Sequence, residues 1–275
     1  LMTRTKYVST FHGTYNFNNV LKKYYNSVML MTDGTIAISE FIYNEIKTKY
    51  QKMPKVIKII PRGIDLEFFN VASIDQQIKK DILKEFKINK DAIKIMLPGR
   101  MTEWKGHLLL LKAFEQVSQQ TEKKLELLMV GPDDNTSLKN RLTTFVHEKD
   151  IEGTVHFISA RNDINNFYSI ADIVVSPSTD PEAFGRISVE AQAMGKFVIA
   201  SNHGGSTETI INNETGYLFN NADENDLSAK ILKAINEDKH CSEIVRKACI
   251  TNVQKNYSDK KMCDSTLNFY NEIIG

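Results

Sequence analysis

Short runs of apolar and β-branched residues recur along the chain, with more polar segments between them. Several of these runs lack a strict alternation of apolar and polar residues, as expected for a parallel sheet that is covered on both faces. We therefore interpret the runs as buried strands. The predicted strands are Tyr7–Phe11, Thr35–Ile38, Val56–Ile60, Ile93–Leu97, Leu125–Val130, Thr154–Ile158, Ile173–Ser176, Phe197–Ala200 and Tyr217–Phe219.

The segments between these runs have apolar residues at spacings of three and four, which predicts helices that bury one face. Regular alternation of strands and helices is typical of an α/β doubly wound fold. The predicted helices are Ile74–Phe86, Leu108–Val117, Asp163–Ile170 and Ile187–Met194, followed by a helical tail of Asp226–Ile235, Ser242–Val253 and Asp259–Ile274.

A domain boundary is predicted near residues 61–75. Pro61–Asp65 has the composition of a turn, and a new strand–helix series begins at Ile93. Six predicted strands follow, enough for a complete Rossmann-like domain over residues 65–258. Only three precede the boundary, so we expect residues 1–64 to form an incomplete N-terminal Rossmann-like domain.

The composition is that of an ordinary globular protein, with 41% apolar and 25% charged residues among 275. These values exclude a disordered chain, a collagen-like fibre and a coiled coil. No apolar run approaches the roughly 18–20 residues of a membrane span. Because Cys241, Cys249 and Cys263 show no C-x-x-C spacing, we expect reduced thiols in a cytosolic protein, rather than disulfides or a zinc site.

Charge is unevenly distributed along the chain. Residues 1–64 carry a net charge of +7, and the remainder carries −6. The basic part is either a solvated face or a contact surface, and we hypothesise that it lies against anionic lipid. Nucleic-acid binding is not expected, since no zinc-finger or RRM-type signature is present. The lysines of this hypothesis are Lys22, Lys23, Lys47, Lys49, Lys52, Lys55 and Lys58.

The first candidate site is Gly99–Gly106, between a predicted strand and a predicted helix. In open α/β sheets, ligands bind at the carboxyl ends of the strands. Arg100 and Lys105 place two cations at this edge, which suits a diphosphate. The alternative is a loop with two surface cations.

The second candidate site, residues 178–191, also follows a predicted strand and opens a helix. Gly185 near the helix start would leave backbone N–H groups free to bind an anion. The carboxylates of Glu182 and Glu190 could accept hydrogen bonds from sugar hydroxyls, so the segment suits a nucleotide sugar. Alternatively, Glu182 only stabilises the helix N-terminus and Glu190 pairs with a surface cation.

Two further segments could contribute to a site. Gly204 and Gly205 follow a predicted strand, and Ser206 or Thr207 could cap the next helix. This segment is either a loop that approaches phosphate or an ordinary tight turn. His12 follows the first predicted strand, where it is either functional or structural. The three loops of the complete domain share one sheet edge, which favours a common site.

Four motifs, in matching order, resemble those of family 4 retaining glycosyltransferases, which have the GT-B fold. Ile60–Asp65 (IPRGID) resembles the I-P-N-G-V-D of that family, with Arg62 in place of Asn. Gly99–Gly106 (GRMTEWKG) resembles G-R-x4-K-G. Pro181–Gly195 (PEAFGRISVEAQAMG) resembles the E-x7-E signature, and Gly204–Glu208 (GGSTE) resembles G-G-x-x-E.

The resemblance implies that the complete domain binds a nucleoside-diphosphate sugar. Arg100 and Lys105 would neutralise the leaving diphosphate, assisted by backbone N–H groups around Phe184–Arg186. Glu190 would hold the ribose hydroxyls, and Glu182 the hydroxyls of the transferred sugar. The implied donor-binding residues are Gly99, Arg100, Lys105, Glu182, Phe184, Gly185, Arg186, Glu190, Gly204 and Gly205.

The resemblance also implies a GT-B architecture of two Rossmann-like domains, in which the final helix, residues 259–275, crosses back to the first domain. His12 would approach the sugar and assist transfer with retention of anomeric configuration, and no metal or other cofactor would be required. The acceptor would be a glycan or lipid-linked molecule of bacterial cell-surface polysaccharide or lipopolysaccharide assembly. We expect a cytoplasmic location, with a peripheral position at the inner face of the cytoplasmic membrane if the lipid hypothesis holds.

Part of the family's first domain has no counterpart in residues 1–64. The chain is expected to be a retaining hexosyltransferase-type enzyme, present here mainly as its donor-binding half. It would be a fragment of a longer chain, a split gene product that is inactive without a separate N-terminal part, or a truncated remnant that has lost activity. A sugar-nucleotide epimerase of related fold is a further alternative, against which the E-x7-E and G-R-x4-K-G motifs argue.

Overall fold

Two parallel β-sheets organise the chain. The structure is a computed structural model that describes residues 5–15, 20–50 and 53–275; Lys52 of the basic segment lies outside them. The first sheet has three strands in the order β1-β2-β3, and the second has six in the order β6-β5-β4-β7-β8-β9. The strands are β1 (Val8–Phe11), β2 (Gly34–Ala37), β3 (Ile57–Ile59), β4 (Ile93–Pro98), β5 (Leu125–Val130), β6 (Val155–Ile158), β7 (Ile173–Ser176), β8 (Phe197–Ser201) and β9 (Gly216–Phe219).

Helices connect the parallel strands, as parallel pairing requires. The described residues form α1 (Val20–Ser27), α2 (Glu40–Lys49), α3 (Gln76–Glu85), α4 (His107–Ser118), α5 (Thr136–Glu148), α6 (Ile164–Ile170), α7 (Arg186–Ala193), α8 (Ser206–Thr209), α9 (Glu224–Asn236), α10 (Glu243–Asn256) and α11 (Asp259–Ile274). The order of the second sheet reverses between β4 and β7, as in a doubly wound nucleotide-binding fold. The predicted α/β fold and all nine predicted strands are confirmed.

The second sheet is covered on both faces, which explains its continuous apolar strands. Every residue of β4 and β5 is buried. Along β4, Ile95 and Leu97 belong to one apolar cluster, whereas Met96 belongs to the cluster on the opposite face. Alternate residues of a strand point to opposite faces. Apolar residues are therefore needed at every position rather than at every second one.

Helices α1, α2 and α5 are absent from the sequence-based prediction. In α5, the buried residues are Leu138, Leu142 and Val146, which recur at intervals of four. The stripe that they form is one residue wide. Apart from Phe145, which is partly buried against the same core cluster, polar residues occupy the rest of the helix, so its apolar periodicity is weak.

The connection between the two sheets is paired with the start of the last helix. The Ile64 N–H donates to the Tyr257 carbonyl over 2.9 Å, and the Asp259 N–H donates to the Ile64 carbonyl over 3.1 Å. A Cβ atom at Gly63 would lie 2.4 Å from the Cα atom of Asp259. Only glycine therefore allows these two backbone segments to approach so closely.

Beyond this pairing, α11 packs on the first sheet. Phe269 of α11 is fully buried against Ile36 of β2 and Ile60, which follows β3. Gly34 leaves room for the Phe269 ring, since a Cβ atom there would lie 2.7 Å from it. The last helix of the chain thus covers a face of its first sheet.

We expect Phe269→Ala to lower the free energy of unfolding by about 3–5 kcal/mol, because it leaves a cavity between α11 and the first sheet. Urea denaturation measures this change. Leu267→Ala on the same helix is the matched control, because Leu267 is 59% exposed, and it should change stability by less than about 0.5 kcal/mol. Equal losses in the two variants would contradict this packing.

Candidate functional site

Three loops of the second sheet meet at the carboxyl ends of β4, β7 and β8. They are the β4 loop (Gly99–Gly106), the β7 loop (Pro177–Gly185) and the β8 loop (Asn202–Gly205). The Thr179 N–H of the β7 loop donates to the Trp104 carbonyl of the β4 loop over 2.7 Å. The three segments singled out in the sequence therefore share one sheet edge beside the β4/β7 reversal, where open α/β sheets bind ligands.

Lys105 and Glu182 form an ion pair across two of these loops. The Lys105 Nζ atom lies 2.5 Å from Glu182 Oε1, and the Ser178 hydroxyl donates to the same oxygen over 2.7 Å. The two charged side chains are only 15% and 16% exposed. Lys105 Nζ also lies 4.4 Å from the centre of the Trp104 ring. A poorly solvated cation and carboxylate thus stand side by side at the site.

The β8 loop packs on the backbone of the β7 loop. The Gly205 N–H donates to the Glu182 carbonyl over 2.7 Å. A Cβ atom would lie 2.5 Å from the Glu182 carbonyl oxygen at Gly204, and 2.5 Å from the Phe184 Cα atom at Gly205. The two glycines therefore permit contact between loops.

The prediction that Ser206 or Thr207 caps the next helix is wrong. Helix α8 begins at Ser206, its N-cap residue is Gly205, and no side chain caps it. Ser206 is buried, and the Thr207 hydroxyl donates back to the Gly204 carbonyl over 2.8 Å. Close packing of the β8 loop against the β7 loop determines where this short helix begins.

Helix α7 begins at the end of the β7 loop without a side-chain cap. Gly185 is its N-cap residue and has a φ of +83°, a left-handed conformation that favours glycine. In the described part of the chain, the N–H groups of Phe184 and Gly185 donate no hydrogen bond. Phe184 is buried, with its ring 5.7 Å from that of Tyr257. The uncapped helix start and these N–H groups form an electropositive backbone site.

Glu190 lies one turn after the start of α7, in a cleft of about 300 Å³ that adjoins the β4 loop. Its Oε1 atom accepts from Arg186 Nε over 2.6 Å, and its Oε2 atom accepts from the Tyr168 hydroxyl over 2.8 Å. Tyr168 is fully buried, and burial raises the pKa of its hydroxyl. Tyr168 therefore remains a hydrogen-bond donor that orients Glu190. Other residues that line the cleft are Pro98, Gly99, Gly131, Pro132, Arg161 and Ile187.

Two predicted site residues lie apart from this group. Arg100 is exposed at the rim, with its Nη1 atom 3.4 Å from Asp134 Oδ2. His12 is largely exposed just beyond β1, and the partial burial of its ring, together with the charge of Arg62, lowers the pKa of its imidazole. Among the described residues, no hydrogen bond or ion pair joins His12 to the second sheet. Neither Ser178 nor Tyr168 was singled out from the sequence, because each acts through a carboxylate partner.

Metal-ligating side chains come together elsewhere. Within the described ranges, one group of suitable types is found, Asp238, His240 and Cys241, whose ligand atoms lie within 4.8 Å of one another. This group lies in the turn after α9.

Comparison with known proteins identifies the family. Residues 78–251 match the family model of glycosyl transferases group 1. The chain belongs to this family. Residues 1–68 match the model of Glycosyltransferase Family 4. Both matches confirm the resemblance inferred from the four motifs.

Two curated relatives show how much of the family's length is represented. A lipopolysaccharide 1,2-N-acetylglucosaminetransferase of Salmonella typhimurium is 30% identical over 200 residues, which are 70% of this chain and 50% of the relative. The capsular polysaccharide biosynthesis glycosyltransferase CapM of Staphylococcus aureus is 26% identical over 253 residues, 90% of this chain and 63% of CapM. The chain thus spans about half to two thirds of the length of these relatives.

Solved structures confirm the GT-B fold. A glycosyltransferase from Rickettsia africae superimposes with a TM-score of 0.90 at 33% identity, over 99% of this chain and 72% of that one. Anabaena HepE, solved in complex with UDP and glucose, superimposes with a TM-score of 0.84 at 18% identity, over 96% of this chain and 71% of HepE. At that identity, HepE supports the fold alone.

We expect Arg62→Asn to raise the pKa of His12, because it removes a cation that disfavours the imidazolium. The pKa should remain below the ordinary value of 6.5, since burial of the ring persists. NMR titration of the imidazole measures this value. Arg246→Asn, in α10 of the second domain, is the control and should leave the pKa of His12 unchanged. A pKa unaffected by Arg62→Asn would show that the two charges do not interact.

Proposed function

We propose that this protein transfers a sugar from a nucleoside-diphosphate sugar to a glycan or lipid-linked acceptor, with retention of anomeric configuration. The observation that carries the proposal is the ion pair of Lys105 and Glu182 beside the uncapped start of α7. An anionic diphosphate needs cations and N–H donors, and a sugar needs hydrogen-bond acceptors. These groups stand together at one sheet edge, next to a cleft that contains Glu190.

In this proposal, donor binding exchanges one partner of Lys105 for another. The diphosphate would accept hydrogen bonds from Lys105 and from the N–H groups of Phe184 and Gly185. Glu182 would then be free to accept hydrogen bonds from the sugar hydroxyls, while Ser178 keeps its carboxylate in place. The negative charge that develops on the departing diphosphate would be stabilised by groups already in position, which is the most effective electrostatic catalysis.

Glu190 would bind the ribose in the adjoining cleft. A carboxylate can accept two hydroxyl groups at once, and the cleft volume of about 300 Å³ is at the lower end of known ligand sites. Arg186 is mainly exposed and can turn away from Glu190 when the ribose binds. Tyr168 would keep the carboxylate oriented throughout.

The cationic residues would also make a metal ion unnecessary. We propose that Lys105, joined by Arg100 after release from Asp134, supplies the charge at the leaving diphosphate. His12 would approach the sugar from the first domain. Its lowered pKa keeps the imidazole neutral near pH 7, so that it can accept as well as donate a hydrogen bond.

The relatives suggest the biological setting of the reaction. A lipopolysaccharide N-acetylglucosaminetransferase and a capsular polysaccharide biosynthesis enzyme match this chain. We therefore propose an acceptor of bacterial surface-polysaccharide assembly. The alternative is a donor-binding part that transfers sugar only together with a separate polypeptide. Assaying transfer by the purified chain alone distinguishes the two proposals.

We also propose a peripheral contact between the basic first domain and anionic lipid. Among the described residues, no helix combines the length and apolar composition needed to cross a bilayer. Three of the lysines already pair with acidic residues: Lys49 with Glu45, Lys55 with Asp33 and Lys58 with Glu272. The contact would therefore depend mainly on Lys22, Lys23 and Lys47. Co-sedimentation with vesicles that is insensitive to anionic lipid and to salt would contradict it.

A thermal-shift panel of UDP, GDP, CDP and ADP, with and without magnesium, tests donor binding. A nucleotide at 100 times its dissociation constant stabilises the folded state by about 2.7 kcal/mol. We expect one base to raise the melting temperature by about 5–10 °C, equally in the presence and absence of magnesium. A cooperative transition that none of the nucleotides shifts would contradict donor binding by this chain.

We expect Glu190→Ala to weaken binding of the preferred nucleoside diphosphate more than about tenfold, because the ribose loses a charged acceptor. Isothermal titration calorimetry measures the affinity. Glu122→Ala is the control, because Glu122 is exposed in the loop before β5, and it should bind like the wild type. Unchanged affinity in Glu190→Ala would remove Glu190 from the site.

A further inference from the structure

Helix α2 of the first domain begins against the candidate site of the second domain. Its N-cap residue, Ser39, is 1% exposed. The Ser39 hydroxyl accepts from the Ile42 N–H over 3.0 Å and donates to the Ala183 carbonyl of the β7 loop over 2.6 Å. Capping a helix requires only the first of these bonds. The second connects the helix to the segment between Glu182 and Phe184.

Glu208, which follows the β8 loop, binds the same helix end. Its two carboxylate oxygens accept from the N–H of Glu40 over 2.8 Å and the N–H of Phe41 over 2.7 Å. The first N–H groups of a helix have no partner within it. The start of α2 is therefore completed by a residue more than 160 positions away in the sequence, and the helix dipole favours the negative charge there.

Tyr257 connects this contact to the rest of the second domain. Its hydroxyl donates to the Glu208 carbonyl over 2.8 Å, and its ring packs edge-on against Phe184. Burial raises the pKa of Tyr257 to about 12, so the hydroxyl stays protonated at neutral pH. Glu208 and Phe184 are thus fixed to one another as well as to α2.

The geometry of the peptide group gives the Ser39 bond a consequence for the site. The Ala183 carbonyl and the Phe184 N–H belong to one peptide unit, and in a trans peptide they point in opposite directions. Because Ser39 holds the carbonyl toward α2, the Phe184 N–H points away from α2. This N–H is one of the donors assigned above to the diphosphate.

We propose that Ser39 and Glu208 are positioning residues, through which α2 of the first domain orients the Ala183–Phe184 peptide for diphosphate binding. This inference rests on the proposed function. It also goes beyond it, because it makes the donor site of the second domain dependent on the first domain before any acceptor binds. Nucleotide affinity then reports on the contact between domains.

Ser39→Ala is compared with Ser242→Ala. Both remove a serine N-cap, the second from α10, and both should lower the melting temperature by about 2–4 °C. UDP, GDP and ADP are titrated in parallel against each variant. Only Ser39→Ala should also weaken binding of the nucleotide that the wild type prefers, by about five- to tenfold. Ser39→Thr, which restores a hydroxyl, should recover most of that affinity. Equal affinity in Ser39→Ala and Ser242→Ala would overturn the proposal.

A second measurement needs no nucleotide. In NMR spectra of the free protein, Ser39→Ala should shift the amide resonances of Phe184 and Gly185, and Ser242→Ala should not. In Glu208→Ala, hydrogen exchange at the Phe41 amide should accelerate about tenfold or more, whereas Glu214→Ala serves as the unaffected control. Unmoved resonances or unchanged exchange would overturn the positioning role. A wild type that binds no nucleotide would instead overturn the proposed function, with the NMR result still deciding on the contact.

Discussion

Glu182 makes hydrogen bonds to all three loops of the candidate site, and the relative positions of these loops depend on it. Its carboxylate binds Lys105 of the β4 loop and Ser178 of the β7 loop, while its carbonyl accepts from Gly205 of the β8 loop. Buried charge is costly unless it is paired and hydrogen-bonded. The loops therefore adopt the one arrangement in which Lys105 and Glu182 compensate each other. In the function proposed above, a ligand with both anionic and hydroxyl groups would replace this mutual compensation.

Much of the fold could be predicted from sequence because burial on both faces leaves a strong pattern. A strand such as β4 must be apolar at every position, and the sheet edge that collects the loops follows from parallel pairing. The meeting of the three candidate loops at one sheet edge could be predicted for the same reason. The hydrogen-bond partners of each side chain could not be predicted. The Glu208 carboxylate, for example, accepts from N–H groups of α2, which belongs to the other domain. Local spacing contains no information about how the two domains are placed relative to one another, so the sequence assigned no role to Ser39.

Glycine has a different role here from the one that its sequence context suggests. Next to cations and a helix start, paired glycines indicate a loop that admits phosphate. At Gly204 and Gly205, the space that a Cβ atom would need is filled by the backbone of Glu182 and Phe184. At Gly106 it is filled by the Pro177 carbonyl, 2.0 Å away. These three glycines therefore bring loops together, whereas a Cβ atom at Gly99 would have no neighbour closer than 3.8 Å.

The return of α11 to the first sheet affects the order in which the chain can fold during synthesis. Ile36 and Ile60 are synthesised well before Phe269, which buries them and follows the whole second sheet in the sequence. Contacts between such distant segments form slowly. The first sheet therefore keeps an apolar face exposed while the second domain is synthesised and folds, and transiently exposed apolar surface of this kind promotes aggregation.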